Sequence, residues 1–160
     1  MIYDNLTDKE LIRQADGQQG LIKALSERLE MRQQPQSVFH DQAFFMRACG
    51  QTTTEINPAQ AKMYRGLIDE EMRELKAAEM QLNEVEEFDA VLDLLVVLIG
   101  YGLSRGWPML AGWEEVVRSN MAKIDPHTGA VQRRADGKIL KPEGWMPPAL
   151  ADVLEQYQDF

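Results

Sequence analysis

Six carboxylates on two successive predicted helices are the residues of this chain best suited to chemistry. The run 90–99 (AVLDLLVVLI) has one polar side chain, Asp93. A helix that is apolar on every side is normally buried, and an ionised carboxylate in it costs several kcal/mol unless a cation or hydrogen-bond donors compensate it. The pattern therefore predicts a cation between two acidic clusters, which consist of Glu70, Glu71 and Glu74 and of Glu86, Asp89 and Asp93.

The helical period places the first cluster beside an apolar stripe. At about 100° per residue, Glu71 falls in the middle of that stripe, Glu74 lies at its edge and Glu70 lies further round. A purely solvated acidic face would not interrupt the stripe. We expect Glu71 and Glu74 to face the neighbouring helix, with Glu70 to one side. The stripe comprises Tyr64, Leu67, Ile68, Met72, Leu75 and Ala78.

The second cluster shares one helical face, because its members are three, four and seven residues apart. A chain reversal near residues 80–82 would place Asp89 opposite Glu71 and would put Asp93 one turn deeper. This geometry favours four direct ligands, with Asp93 as a fifth ligand or a supporting residue: Glu71, Glu74, Glu86 and Asp89.

Converging carboxylates suit a hard divalent cation such as Mg²⁺, for which Mn²⁺ commonly substitutes. The only histidines are His40 and His127 and the only cysteine is Cys49, so zinc and histidine-containing di-iron sites are disfavoured. Glu70, just off the ligand face, is the candidate to orient or deprotonate a water molecule.

Charge is unevenly distributed along the chain. The formal net charge is -9, which argues against a general nucleic-acid binder. The stretch 118–141 is +4 and the remainder is -13. This asymmetry suits a small polyanion held by metal on one side and by basic side chains on the other, although an ordinary solvated loop would give the same composition. The basic residues that could contact the anion include Arg118, Lys123, Lys138 and Lys141.

The hydrophobic pattern predicts an all-α fold. Helices are expected at about 8–32 (with a break near Gly17 and Gly20), 40–48, 59–78, 83–104, 112–123 and 149–156, and a small β-hairpin is expected around 130–141. A length of 160 residues fits one main domain, assigned to residues 38–160, preceded by a helical extension over residues 1–37.

The chain shows no signal-peptide pattern, and its longest apolar run is about half of what a membrane span requires. With a single cysteine it has no internal disulfide framework. We therefore expect a cytoplasmic protein that has neither a membrane nor a nucleic acid as its partner.

Two acidic segments and the tail resemble a known superfamily. Segments LIDEEMREL (67–75) and EEFDAVLDLL (86–95) resemble the EExxE and ExxD signature of the all-α nucleoside triphosphate pyrophosphohydrolases, which include MazG-like proteins, phosphoribosyl-ATP pyrophosphohydrolase and the dimeric dUTPases. The segments EVVRSNMAK (115–123), DGKILKP (136–142) and GWMPP (144–148) are similar to the phosphoribosyl-ATP pyrophosphohydrolase-like or phage MazG-like subgroup, and the similarity runs from Phe39 to Leu154.

The resemblance implies a helical bundle, completed as a homodimer or homotetramer, that hydrolyses the bond between the α and β phosphates of a (deoxy)nucleoside triphosphate. The products would be the monophosphate and pyrophosphate, a reaction that cleans the nucleotide pool. Mg²⁺ would bind Glu71, Glu74, Glu86 and Asp89, and Glu70 would position the water. The residues implied to contact phosphate or sugar are Ser119, Asn120 and Lys123.

Two alternatives stay open. A non-catalytic helical module could bind metal or nucleotide for regulation or assembly, and a phosphoribosyl-ATP pyrophosphohydrolase could use the same site. If the protein is the enzyme, Glu71→Gln or Glu74→Gln is expected to abolish pyrophosphate release, whereas the first alternative predicts that no triphosphate is cleaved.

Overall fold

The computed structural model describes residues 37–158. The chain divides into two compact units, Met1–Asp41 and Gln42–Phe160. The expected N-terminal helices at 8–32 and the extension over 1–37 fall almost entirely outside the described residues, so they stay predictions. No helix in the described part of the chain is long and apolar enough to cross a membrane.

The described part is all-α, as predicted. Two long helices dominate it, and they pack against each other as a hairpin. The elements are α1 (Val38–Ala48), α2 (Pro58–Gln81), α3 (Glu84–Ser104), α4 (Met109–Met121) and α5 (Leu150–Gln158).

The expected β-hairpin is reduced to isolated pairings. Residues 124–140 form two antiparallel bridges, Ile124 with Val131 and Arg133 with Ile139, and no regular strand forms between residues 37 and 158. Gly137 takes a positive φ of 84°, which a glycine adopts at little cost in a tight turn. The sequence therefore located the turn correctly, but the flanking segments are too short to form strands.

Asparagine residues define the N-termini of both long helices. Asn57 accepts a hydrogen bond from the Gln60 backbone N–H at 3.1 Å, with Pro58 in the first helical turn. Asn83 accepts one from the Glu86 backbone N–H at 3.4 Å. Side-chain capping of this kind satisfies an otherwise unpaired N–H of the first turn. Between the helices, Leu82 turns the chain in the left-handed conformation at φ 54°.

Helices α2 and α3 approach each other closely at Gly100. A Cβ atom at this position would lie 2.2 Å from Tyr64 Cε1, so the close approach of the tyrosine ring requires glycine. Of the predicted stripe on α2, Tyr64, Ile68 and Ala78 are buried, whereas Met72 is 53% exposed. Met72 lies on the outer edge of the stripe, where no described helix covers it.

A buried polar network joins the start of α2 to the end of α3. The Gln60 Nε2 group donates to Ser104 Oγ at 2.8 Å and to the Thr52 carbonyl at 2.8 Å. Ser104 is fully buried, and its hydroxyl donates to the Gly100 carbonyl at 2.7 Å. Buried polar groups that are paired in this way fix a single arrangement of the elements. The network holds the open end of the hairpin in register.

The apolar run of α3 is covered on one side only. Ala90 and Val97 on the α2-facing side are buried, and Ile99 near the end of the helix is buried as well, but most of the opposite side from Val85 to Leu98 is open. The expectation of burial all round is therefore not met within one chain, and Asp93 is exposed. The reason is geometric, since α2 covers one face of α3. The open side carries Val85, Phe88, Val91, Leu92, Leu95, Val96 and Leu98.

Candidate active site on the central helical hairpin

The side chain of Glu71 is the central group of the acidic cluster. Burial raises the pKa of Glu71 above its ordinary value, and the carboxylates of Glu74, Asp93, Glu70 and Asp89 raise it further, in that order of strength. An anion held among other anions is protonated more readily than one in water. Four of the other five predicted carboxylates therefore lie close enough to Glu71 to raise its pKa.

One oxygen of Glu71 has no partner. Glu71 Oε2 is buried, and no donor within residues 37–158 forms a hydrogen bond with it. Leaving a buried carboxylate oxygen unpaired is costly, because its hydration is lost without compensation. An unpaired oxygen next to acidic neighbours has the donor chemistry that suits a cation.

The register of the hairpin differs from the sequence-based prediction. Asp93 acts on Glu71 more strongly than Asp89 does. The chain reverses at Leu82, at the far end of the predicted 80–82 interval, and α3 begins only at Glu84. A later reversal shifts the residue opposite Glu71 towards the C-terminus of α3. The sequence pattern predicted Asp93 one turn deeper. In the fold it raises the pKa of Glu71 more than any other carboxylate of α3 does.

Glu86 stands apart from this group. It is exposed at the start of α3, and it is not among the described carboxylates that raise the pKa of Glu71. Glu70, Glu74, Asp89 and Asp93 are also exposed. No three Asp, Glu, His or Cys side chains within residues 37–158 converge as a ready-made metal site. The cluster therefore supplies carboxylate oxygens, the donors that a hard cation prefers, in an open arrangement.

The residues predicted to contact the substrate divide into two groups. Arg118 is bound to Glu115 by two parallel hydrogen bonds of 2.6 and 2.7 Å. Ser119 is 1% exposed, and its hydroxyl donates to the Met146 carbonyl at 3.1 Å. Ser119 therefore attaches the C-terminal segment to α4, whereas Arg118 is paired within α4 itself.

The second group is at least partly exposed to solvent. Lys123 donates to Asn120 Oδ1 at 2.8 Å, and its ammonium also lies 5.3 Å from the centre of the Trp145 ring. The Lys141 ammonium lies 4.0 Å from the same ring centre. Lys138 is exposed in the turn, where its backbone N–H donates to Asp136 Oδ1 at 3.1 Å.

Two residues missed by the sequence reasoning organise this region. Glu115 Oε1 accepts the Ala149 backbone N–H at 2.7 Å in addition to pairing with Arg118, and these contacts lower the pKa of Glu115 to about 2. Trp145 donates its ring N–H to the Ser119 carbonyl at 2.8 Å. The spacing of three residues from Glu115 to Arg118 was a readable signal for their ion pair. The partners 26 to 34 residues away had no local signal.

Fold and site together define an all-α protein with a carboxylate cluster on a central helical hairpin. The sequence profile of the phosphoribosyl-ATP pyrophosphohydrolase family matches residues 39–120, just over half of the chain, and spans both helices of the hairpin. The chain belongs to this family, within the MazG-like all-α nucleoside triphosphate pyrophosphohydrolase superfamily. It is a hydrolase acting on phosphoanhydride bonds, and the resemblance seen in the sequence is confirmed. A search of curated proteins finds no match to the chain.

Proposed function

We propose that the protein is a Mg²⁺-dependent pyrophosphohydrolase that converts a (deoxy)nucleoside triphosphate to the monophosphate and pyrophosphate. The observation that carries this proposal is the unpaired, buried oxygen of Glu71 at the centre of a carboxylate cluster. Such a cluster needs a cation, and a polyphosphate needs one as well. A cation shared between them compensates both sets of charge.

The donor chemistry fits the proposed metal. Carboxylate oxygens are the ligands that Mg²⁺ and Mn²⁺ prefer, and an open arrangement leaves room for water and phosphate oxygens. When bound, the ion neutralises charge on the phosphates and polarises the bond to be broken. The residues that would hold it are Glu71, Glu74, Asp89 and Asp93, with Glu86 as a further ligand from the start of α3.

Glu70 is the proposed water-positioning residue. It is exposed and adjoins Glu71 in the chain, outside the side chains nearest α3. Its carboxylate accepts a hydrogen bond from the attacking water and orients it towards phosphorus. The water oxygen forms the new bond to phosphorus, the bond to the bridging oxygen breaks, and the water proton passes through Glu70 to solvent.

Phosphoribosyl-ATP is the second candidate substrate, because the matching family carries that name. The same cluster would serve both reactions, since in each a phosphoanhydride bond is cleaved. Discrimination between them depends on groups that contact the base and sugar rather than on the carboxylates.

A second copy of the chain is the proposed partner of α3. Val85, Phe88, Leu92 and Leu95 follow a three–four–three spacing, which forms a continuous seam on one side of a helix. All four are exposed, from 75% at Val85 to 44% at Leu95. An apolar seam of this length is favourably covered by a matching helix, as in helical bundles. A homodimer or homotetramer would bury it.

The carboxylates lie beside this seam. At about 100° per residue, Asp89 and Asp93 fall between the α2-facing side, marked by Ala90 and Val97, and the open apolar side. A copy of the chain packed on the seam would therefore shield one flank of the acidic cluster. Reduced solvent exposure strengthens the attraction between carboxylates and a cation.

The decisive experiment is a substrate panel with pyrophosphate detection. Ribo- and deoxyribonucleoside triphosphates, including dUTP and dCTP, and phosphoribosyl-ATP would be incubated with the protein and Mg²⁺ or with EDTA. We expect metal-dependent pyrophosphate release that Glu71→Gln and Glu74→Gln abolish. Glu79→Gln, an exposed glutamate of α2 outside the cluster, is the matched control. Metal and nucleotide binding without any cleavage would instead indicate a regulatory or assembly module.

A further inference from the structure

Two lysines from different parts of the chain meet on one aromatic ring. Lys123 follows the end of α4, and Lys141 belongs to the long segment before α5. Their ammonium nitrogens lie 5.3 and 4.0 Å from the centre of the Trp145 ring. The two nitrogens are thus no further apart than the sum of these distances, about 9.3 Å. Each cation is attracted by the electron-rich face of the indole.

The ring itself is fastened to α4. Trp145 Nε1 donates to the Ser119 carbonyl at 2.8 Å, and the buried Ser119 hydroxyl donates back to the carbonyl of Met146 at 3.1 Å. This reciprocal pair of hydrogen bonds joins adjacent residues of the tail to one residue of the helix. The position of the indole is therefore set by α4, and the position of both lysines follows from it.

Neither ammonium group is neutralised. Within residues 37–158, Lys123 and Lys141 form no ion pair, and the hydrogen-bond partner of Lys123 is the uncharged Asn120. By contrast, Arg118 is paired with Glu115, and Arg134 with Asp136. Two uncompensated cations held near each other repel, and an anion between them removes that repulsion.

We propose that Trp145 is a positioning residue that holds Lys123 and Lys141 as one binding site for a polyphosphate chain. Lysine binds phosphate as a point charge, so two ammonium groups over this span suit neighbouring phosphates of one chain. The inference rests on the proposed function for the identity of the natural ligand, the phosphate chain of the triphosphate substrate. The anion site itself is a separate property, which can be measured without any hydrolysis.

The test uses inorganic tripolyphosphate as the probe. Binding to the full-length protein would be measured by calorimetry in EDTA, for the wild type, Lys123→Gln, Lys141→Gln, Trp145→Phe and Trp145→Ala. Lys62→Gln removes one exposed lysine of α2 and is the charge-matched control. Circular dichroism would check that each variant is folded.

We expect each of the two lysine variants to bind tripolyphosphate roughly tenfold more weakly, with a shallower dependence on salt, because one charge-assisted contact is lost. Trp145→Ala should weaken binding by about the same factor. Trp145→Phe keeps an aromatic face for the cations but loses the hydrogen bond to the Ser119 carbonyl, so its affinity should fall between those of the wild type and Trp145→Ala. The control should bind as the wild type does.

Unchanged binding in both lysine variants, or no binding by the wild type, would overturn the proposal. An equal loss in Trp145→Phe and Trp145→Ala would overturn the role of the ring. Failure of the proposed function has a different signature, in which tripolyphosphate binds through these lysines while no triphosphate in the panel is cleaved. If a triphosphate is cleaved but tripolyphosphate binding does not depend on the two lysines, the proposed function holds and the anion site is wrong.

Discussion

Asp93 on α3 lies across the hairpin from Glu71 on α2, close enough for its charge to raise the pKa of Glu71. Burial is the larger cause of this shift, and Glu74 is the larger charged contributor. Glu74 is three residues away on the same helix, so Asp93, followed by Asp89, is the strongest contributor that only the fold supplies. The relationship makes Asp93 a member of the acidic cluster rather than a remote supporting residue.

Glu71→Gln should stabilise the metal-free protein at pH 7 while removing its activity. A carboxyl whose pKa is raised on folding destabilises the folded state when it is ionised, and this cost disappears as the pH falls through the raised value. We therefore expect a higher Tm for the variant in EDTA at pH 7. The difference should shrink as the pH falls through the raised pKa and should be absent below about pH 4.5, where Glu71 is protonated in both states.

The same variant should lose the response to metal. Mg²⁺ should raise the Tm of the wild type and have little effect on Glu71→Gln, because binding to the folded state stabilises it. Pyrophosphate release should fall at least about 100-fold, more than the loss typical for a residue that merely supports a ligand. A lower Tm for Glu71→Gln in EDTA would show that the carboxylate is compensated within the protein.

Glu115→Gln should loosen the C-terminal segment in a pH-dependent way. The pKa of Glu115 is lowered to about 2 by Arg118 and the Ala149 N–H. A depressed carboxyl stabilises the fold above its ordinary pKa, and this contribution is lost as the pH falls from about 4.5 to about 2. The difference in Tm between wild type and variant should be full at pH 7 and should close across that window. A constant difference at every pH would contradict the ion-pair explanation.

Gly100→Ala should destabilise the hairpin by about 1–3 kcal/mol, as overpacking of a tight contact typically does. The added Cβ would meet the Tyr64 ring at 2.2 Å, which outweighs the better helix propensity of alanine. Gly66→Ala is the matched control, because a Cβ at this α2 position has no atom within 4 Å. That variant should gain up to about 1 kcal/mol. Chemical denaturation at one fixed protein concentration would measure both.

Phe88→Glu and Leu92→Glu should shift the protein towards a single chain in sedimentation or light-scattering measurements. A charge in the apolar seam of α3 would be buried without a partner in any assembly that uses this face. Tyr157→Glu, which replaces another exposed aromatic side chain outside α3, should leave the assembly unchanged. If all three variants keep the wild-type mass, the seam is not the interface.

Much of this protein follows from local pattern. The helical period placed Glu70, Glu71 and Glu74 on neighbouring faces, and the observed helix ends fall within three residues of the predicted ones. Such features can be read from the sequence because helix periodicity, asparagine caps and proline depend on residues only a few positions apart.

Pairings across the fold were harder to derive. The left-handed turn at Leu82 set the register that places Asp93 on Glu71, and a shift of the reversal by one or two residues changes every facing pair. Ser119 was expected at the substrate, but its hydroxyl is buried against the Met146 carbonyl, 27 residues away. The ligand and substrate roles of the site residues stay predictions until they are measured.

The sequence by itself determined the all-α class, the two acidic helices and the basic tail, because each depends on the spacing or charge of residues that are close together in the chain. Tertiary structure alone decided that Asp93 faces Glu71, that Glu115 accepts the Ala149 N–H, and that the Trp145 ring lies near both Lys123 and Lys141. The physical reason is that most of these contacts join segments far apart in the chain. They form only when packing brings those segments together, whereas the helical repeat relates only residues a few positions apart.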